Sequence, residues 1–186
     1  MANLIYVYTT DKLPTKPNED HKEVGAQLLY SARYAPTIMT DIFVGSKYIK
    51  QVYSLEFIET MAAASDFIEA IKLFTSLLPA LTQVAELDKD MLRDAAEVIK
   101  KKKGKFLITD FSETSMMFKK KLDDILKLNI NYIKEAISNA NKLKIISRIS
   151  NFDKQVKILD KHLVKSKRFD LDDLGIGRFS EWMETS

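Results

Sequence analysis

The chain has 186 residues, of which 46% are hydrophobic, enough for one domain with a sizeable core and too many for general disorder. It has no cysteine, which excludes disulfides, thiolate metal sites and a cysteine nucleophile. A net charge of +3 conceals sorted blocks: residues 1–99 carry 9 Lys/Arg against 14 Asp/Glu, residues 100–168 carry 19 against 7, and residues 169–186 carry 1 against 5.

Scarce breakers, 5 Gly and 4 Pro, favour helices over most of the chain. Residues 1–18 are the exception. Leu4-Ile5-Tyr6-Val7-Tyr8 is β-prone and Pro14 and Pro17 follow, so the reading is an extended N-terminal arm with a short strand. Asn18 is placed to cap a helix from Glu19 to about Tyr34, stopped by Pro36. Residues 37–53 are read as a second helix. Ser54 then caps a third, because Phe57, Met61, Ala64, Ile68, Ile71, Thr75 and Leu78 repeat at spacings of three and four. Pro79 is expected to kink or end it.

A further helix is expected over Asp88–Lys103, with Met91, Leu92, Ala95, Val98 and Ile99 inward and Gly104 as its terminator. Residues 105–110 suggest a short strand, and Asp110 and Glu113 have capping-box spacing. Residues 112–149 read as one long helix carrying Phe118, Leu122, Ile125, Asn129, Tyr132, Ala136, Asn139, Leu143 and Ile146 on one stripe. Asn129 and Asn139 are polar interruptions in that seam. The last helix, about 152–167, has the cleanest amphipathic pattern. Phe152, Val156, Leu159 and Leu163 form its apolar stripe, and Lys154, Lys157, Lys161, Lys165 and Arg168 lie nearly opposite.

These elements give an expected all-α fold: a five- or six-helix bundle over residues 19–168, between the arm and an acidic, aromatic C-terminal tail over 169–186.

The chemistry-bearing signals are sparse. His21 lies in a charged helix start without a second histidine at ligand spacing, and HExxH is absent. Asp160 precedes His162 by two positions, a separation at which helical side chains do not face each other. The adjacent pairs Asp123-Asp124 and Asp172-Asp173 diverge on a helix, and Gly175-Ile-Gly177 is no nucleotide fingerprint. No enzyme, cofactor or metal site is expected.

Two basic features remain. Lys100, Lys101, Lys102, Lys103 and Lys105 form the densest charge run, and the lysine stripe of the last helix puts its charges on one face. Lysine outnumbers arginine 24 to 5, which suits attraction of phosphates better than reading of bases. In the tail, Phe169, Leu171, Leu174, Phe179 and Trp182 are candidate anchors for a partner.

The expected function is therefore non-enzymatic: interaction or assembly with other protein chains through helix faces and termini. The alternative is sequence-nonspecific nucleic-acid binding through the lysine face. Membrane binding is disfavoured, since Asp66, Glu69 and Lys72 interrupt the apolar segment 57–85. MANLIYVYTTDKL lacks a basic leader region, and the expected location is intracellular and cytoplasmic.

Overall fold

A computed structural model describes residues 4–33, 35–57, 59–85 and 87–167. It overturns the all-α bundle: the fold is α+β, built on a five-stranded antiparallel sheet. The strands are β1 (Leu4–Thr10), β2 (Gln27–Arg33), β3 (Tyr48–Tyr53), β4 (Met61–Asp66) and β5 (Phe106–Asp110), in the order β2-β1-β5-β4-β3. The helices are α1 (His21–Val24), α2 (Ile38–Gly45), α3 (Phe67–Leu81), α4 (Lys89–Lys101), α5 (Ser112–Phe118), α6 (Leu122–Ser147) and α7 (Phe152–Ser166).

Leu4–Thr10 is no arm. It is hydrogen-bonded to β2 on one side and β5 on the other. Its alternation explains the position: Ile5 and Val7 enter the main core, while Tyr6 and Tyr8 belong to the opposite face. Both faces of the strand are packed against other residues.

The expected helix from Glu19 shrinks to the four residues of α1. Asp20 caps it, and Gly25, at φ 66°, ends it by donating its N–H to the carbonyls of His21 and Lys22. The segment after Gly25 becomes β2, where a bulge at Leu29 lets both Leu29 and Tyr30 reach the core. The expected second helix divides into α2 and β3. Thr37 and Thr40 form a reciprocal cap for α2.

The third expected helix, capped by Ser54 in the sequence reading, starts twelve residues late, after Asp66. Ala62, Ala63 and Ala64 favour helix, but as β4 they pair with β3 on one side and β5 on the other. Tertiary pairing outweighs a weak local preference. Helix α3 instead starts after Asp66, whose carboxylate accepts the Glu69 N–H at 3.1 Å. Pro79 sits in its last turn, where the helix continues to Leu81. Gly104 lies three residues beyond α4, at φ 159° against Thr9 and Thr10, and does not terminate it.

The single helix expected over 112–149 breaks at Lys119-Lys120-Lys121, giving α5 and α6. Asn129 ties the two pieces together: it accepts the Ser115 hydroxyl and donates to Ser112 Oγ at 3.2 Å. The capping box expected of Asp110 and Glu113 does not form: Phe111 is the N-cap of α5 and has no side-chain cap bond, Asp110 accepts the N–H of Ser112 at 2.8 Å, and Glu113 accepts the Tyr6 hydroxyl instead.

One main core lies between the sheet and helices α2, α3, α4, α6 and α7. The other sheet face carries a smaller cluster of Tyr8, Val52, Ala62, Ala64 and Ile108, flanked by Leu13, Ala26 and Leu55 from connecting segments. No helix among the described residues is long and apolar enough to cross a membrane.

Candidate functional site

Helix α7 keeps its expected bounds almost unchanged. Asn151 caps it, accepting the Lys154 N–H at 2.9 Å, and Lys167 closes it in the left-handed conformation. Leu159 and Leu163 are buried in the main core, and the Gln155 amide donates to the Ile146 carbonyl of α6 at 3.1 Å. This fixes which side of α7 faces inward.

The opposite side carries Lys154, Lys157, Lys161 and Lys165, all exposed. None is paired with a carboxylate among the described residues. At 1.5 Å per residue the ladder is about 16 Å long. Arg168, which continues it in the sequence, lies outside the described residues, as do the tail anchors Phe169, Leu171, Leu174, Phe179 and Trp182.

Lys100–Lys103 and Lys105 follow a different path. They span the end of α4 and the connection into β5, where the Lys105 N–H donates to the Thr10 carbonyl at 3.0 Å. Helix α4 packs on α3, whereas α7 packs on α3 and α6. The two basic segments therefore belong to separate elements and do not form one ladder.

Phe152 departs from expectation. The periodicity places it in the apolar stripe, yet it is 45% exposed. With Asp153, Val156, Lys157 and Asp160 it lines an open groove of about 480 Å³, whose other wall is Gln83-Val84-Ala85 after α3.

The sequence reading missed a polar cluster on the face of the sheet away from the main core. The hydroxyl of Tyr8 donates to Glu56, which also contacts His21 Nε2 at 3.1 Å, and the Tyr6 hydroxyl donates to Glu113 at 2.8 Å. Tyr6 and Tyr8 stack with centroids 6.2 Å apart, and Tyr8 lies 5.0 Å from the His21 ring. Burial, followed by these carboxylate hydrogen bonds, pushes both phenols above the ordinary tyrosine range. Asp110 is fully buried beside them. Burial raises its carboxyl, partly opposed by hydrogen bonds from the hydroxyl of Ser54 and the N–H of Ser112.

These bonds clasp Ser54, Glu56 and the α1 segment onto the sheet. Each hydroxyl and carboxylate is occupied holding another part of the fold. Among the described residues no three His, Cys, Asp or Glu converge on a metal position. The signal that pointed to this cluster was the alternation of Leu4–Thr10, which puts Tyr6 and Tyr8 on one face of a strand with a second apolar face behind it.

Comparison of the chain with protein-family models, curated proteins and solved structures finds no match.

Proposed function

We propose that this protein is a non-enzymatic binding protein that holds nucleic acid, without reading its sequence, on the lysine ladder of α7. The observation that carries the proposal is that Lys154, Lys157, Lys161 and Lys165 share one exposed face and have no carboxylate partner among the described residues. Four free ammonium groups attract phosphates along a line, and lysine supplies charge without the planar fork that reads base edges.

The test is fluorescence anisotropy with a labelled mixed-sequence oligonucleotide at two salt concentrations. Four phosphate contacts give a weakening of about 50-fold for a single strand, or about 150-fold for a duplex, between 50 and 200 mM salt. Replacing all four lysines by Gln removes most of the binding and flattens the salt dependence. Absence of binding at about 50 mM salt sinks the proposal.

A second reading, a protein-binding or self-assembling role, is favoured by the corner between α5 and α6. There Met116, Phe118 and Leu122 are exposed within seven residues. Isolated exposed apolar side chains are ordinary, but a group of them marks contact surfaces. Light scattering over a hundredfold range of protein concentration tests self-assembly. A constant monomer mass rules it out.

A further inference from the structure

We infer that the groove between α7 and the turn after α3 is a nucleobase site, so that the nucleic acid held by the lysine ladder is single-stranded. The inference rests on the nucleic-acid reading above and names its substrate class.

Three features of the groove lead there. The first is Phe152. Leu159 and Leu163, of the same stripe, are 0% and 1% exposed, while the Phe152 ring is 45% exposed and lines the groove wall. The ring lies on the side of α7 away from Lys154, Lys161 and Lys165, but it shares the groove with one ladder residue, Lys157. A half-exposed aromatic ring with a cation in the same groove is a surface on which single-strand binders stack bases. Val84, Ala85 and Val156 extend the apolar lining. The volume of about 480 Å³ falls within the range of small-ligand sites.

The second is the charge of the lining. The lining holds one cation, Lys157, and two carboxylates, Asp153 and Asp160, none of them ion-paired among the described residues, so the groove itself is net negative. It disfavours a phosphate and accepts a neutral base. The two carboxylates and the Gln83 side-chain amide have no hydrogen-bond partner among the described residues. They offer acceptors, and in Gln83 also a donor, to the polar edge of a base; a carboxylate is the natural acceptor for an exocyclic amine.

The third is continuity. On the helical wheel Lys157 lies between the groove residues (Phe152, Asp153, Val156, Asp160) and the rest of the ladder (Lys154, Lys161, Lys165). A strand whose phosphates follow the ladder brings a base to the groove at Lys157. A duplex cannot do this, because its bases are stacked and paired inside the helix.

The experiment measures binding of the full chain to a labelled mixed-sequence strand and to the same strand annealed, at about 50 mM salt. The single strand is expected to bind at least about fivefold tighter than the duplex. Phe152→Ala is expected to weaken single-strand binding by about 5- to 150-fold, leaving duplex binding unchanged within about twofold, and Phe152→Tyr is expected to retain it. Circular dichroism melting checks that each variant is folded. Equal affinity for strand and duplex, with Phe152→Ala affecting neither, overturns the nucleobase site while leaving the nucleic-acid reading standing. No binding of either overturns both. A second measurement needs no variant: a strand carrying 5-iodouracil, irradiated on the wild-type chain, is expected to cross-link to Phe152. Cross-links confined to peptides outside 83–85 and 152–160 overturn the inference.

Discussion

Asn139 of α6 donates its side-chain amide to the Asp41 carboxylate of α2 at 3.0 Å, with both residues buried. A polar position on a mostly apolar helical stripe thus serves as a donor to a buried carboxyl group. Asn139→Leu fills the space but deprives a carboxylate of a hydrogen bond it cannot replace from water. Leaving a buried acceptor without its partner costs about 1–3 kcal/mol, and the expected loss of stability is of that size. Urea denaturation of the variant checks it; a change below about 0.5 kcal/mol, the level of a neutral surface substitution, contradicts the assignment.

The sequence reported α7 almost completely, because every local signal agrees there: cap, period, apolar stripe and charged face. It misreported the sheet, because the strands are short and lack strong turn signals. Ala62-Ala63-Ala64 carries no strand preference of its own and becomes a strand only through partners on both sides, one of them more than 40 residues away. Gly25, which ends α1 in the left-handed conformation, falls inside the helix expected from Glu19 to Tyr34, because its neighbours on both sides fit a helical period as well as a strand. The lysine ladder was legible because exposure needs no partner. The Tyr6–Glu113 and Tyr8–Glu56 contacts were not, since they join residues 107 and 48 positions apart. Phe152 was read as core because a helical period reveals which positions share a face, not where the neighbouring element stops covering it.

Gly45, the last residue of α2, lies tightly against α6. A Cβ placed there lies 2.6 Å from the Ala136 carbonyl oxygen and closer still to the Ala140 methyl group. Backbone cannot yield as a flexible side chain does, so the helices must separate. Gly45→Ala is expected to destabilise the fold by about 1–3 kcal/mol despite alanine's better helix propensity. Thermal melts decide it. A raised midpoint shows that propensity prevails and that the two helices are not held this close.

Asp110 makes stability depend on pH with a defined sign. In the unfolded chain its carboxyl titrates at its ordinary value of 3.8; burial raises it in the fold. The folded state therefore holds its proton to higher pH. The group favours the fold below the unfolded value, and that contribution is lost as pH rises through the raised one. Asp110→Asn removes the titration. The stability of the wild type relative to this variant is expected to fall as pH rises from about 4 toward neutrality. Urea midpoints for both proteins across that interval provide the measurement, and parallel curves contradict the shift.

Ile5 distinguishes a strand within the sheet from an arm lying outside the fold. It is completely buried, in a strand hydrogen-bonded on both sides. In an exposed arm Ile5→Ala changes stability by less than about 0.5 kcal/mol. In the core it removes three carbons from a packed site, and the expected cost is about 2–5 kcal/mol. That is a large fraction of the roughly 5–15 kcal/mol that holds a domain folded, so removal of the entire β1 segment is expected to abolish folding. The milder substitution gives the cleaner measurement, because a folded variant yields a midpoint in urea. A midpoint equal to that of the wild type rules out a core position for Ile5. A large loss also explains why this terminus is not free to engage a partner: its backbone donors and acceptors are already paired with β2 and β5.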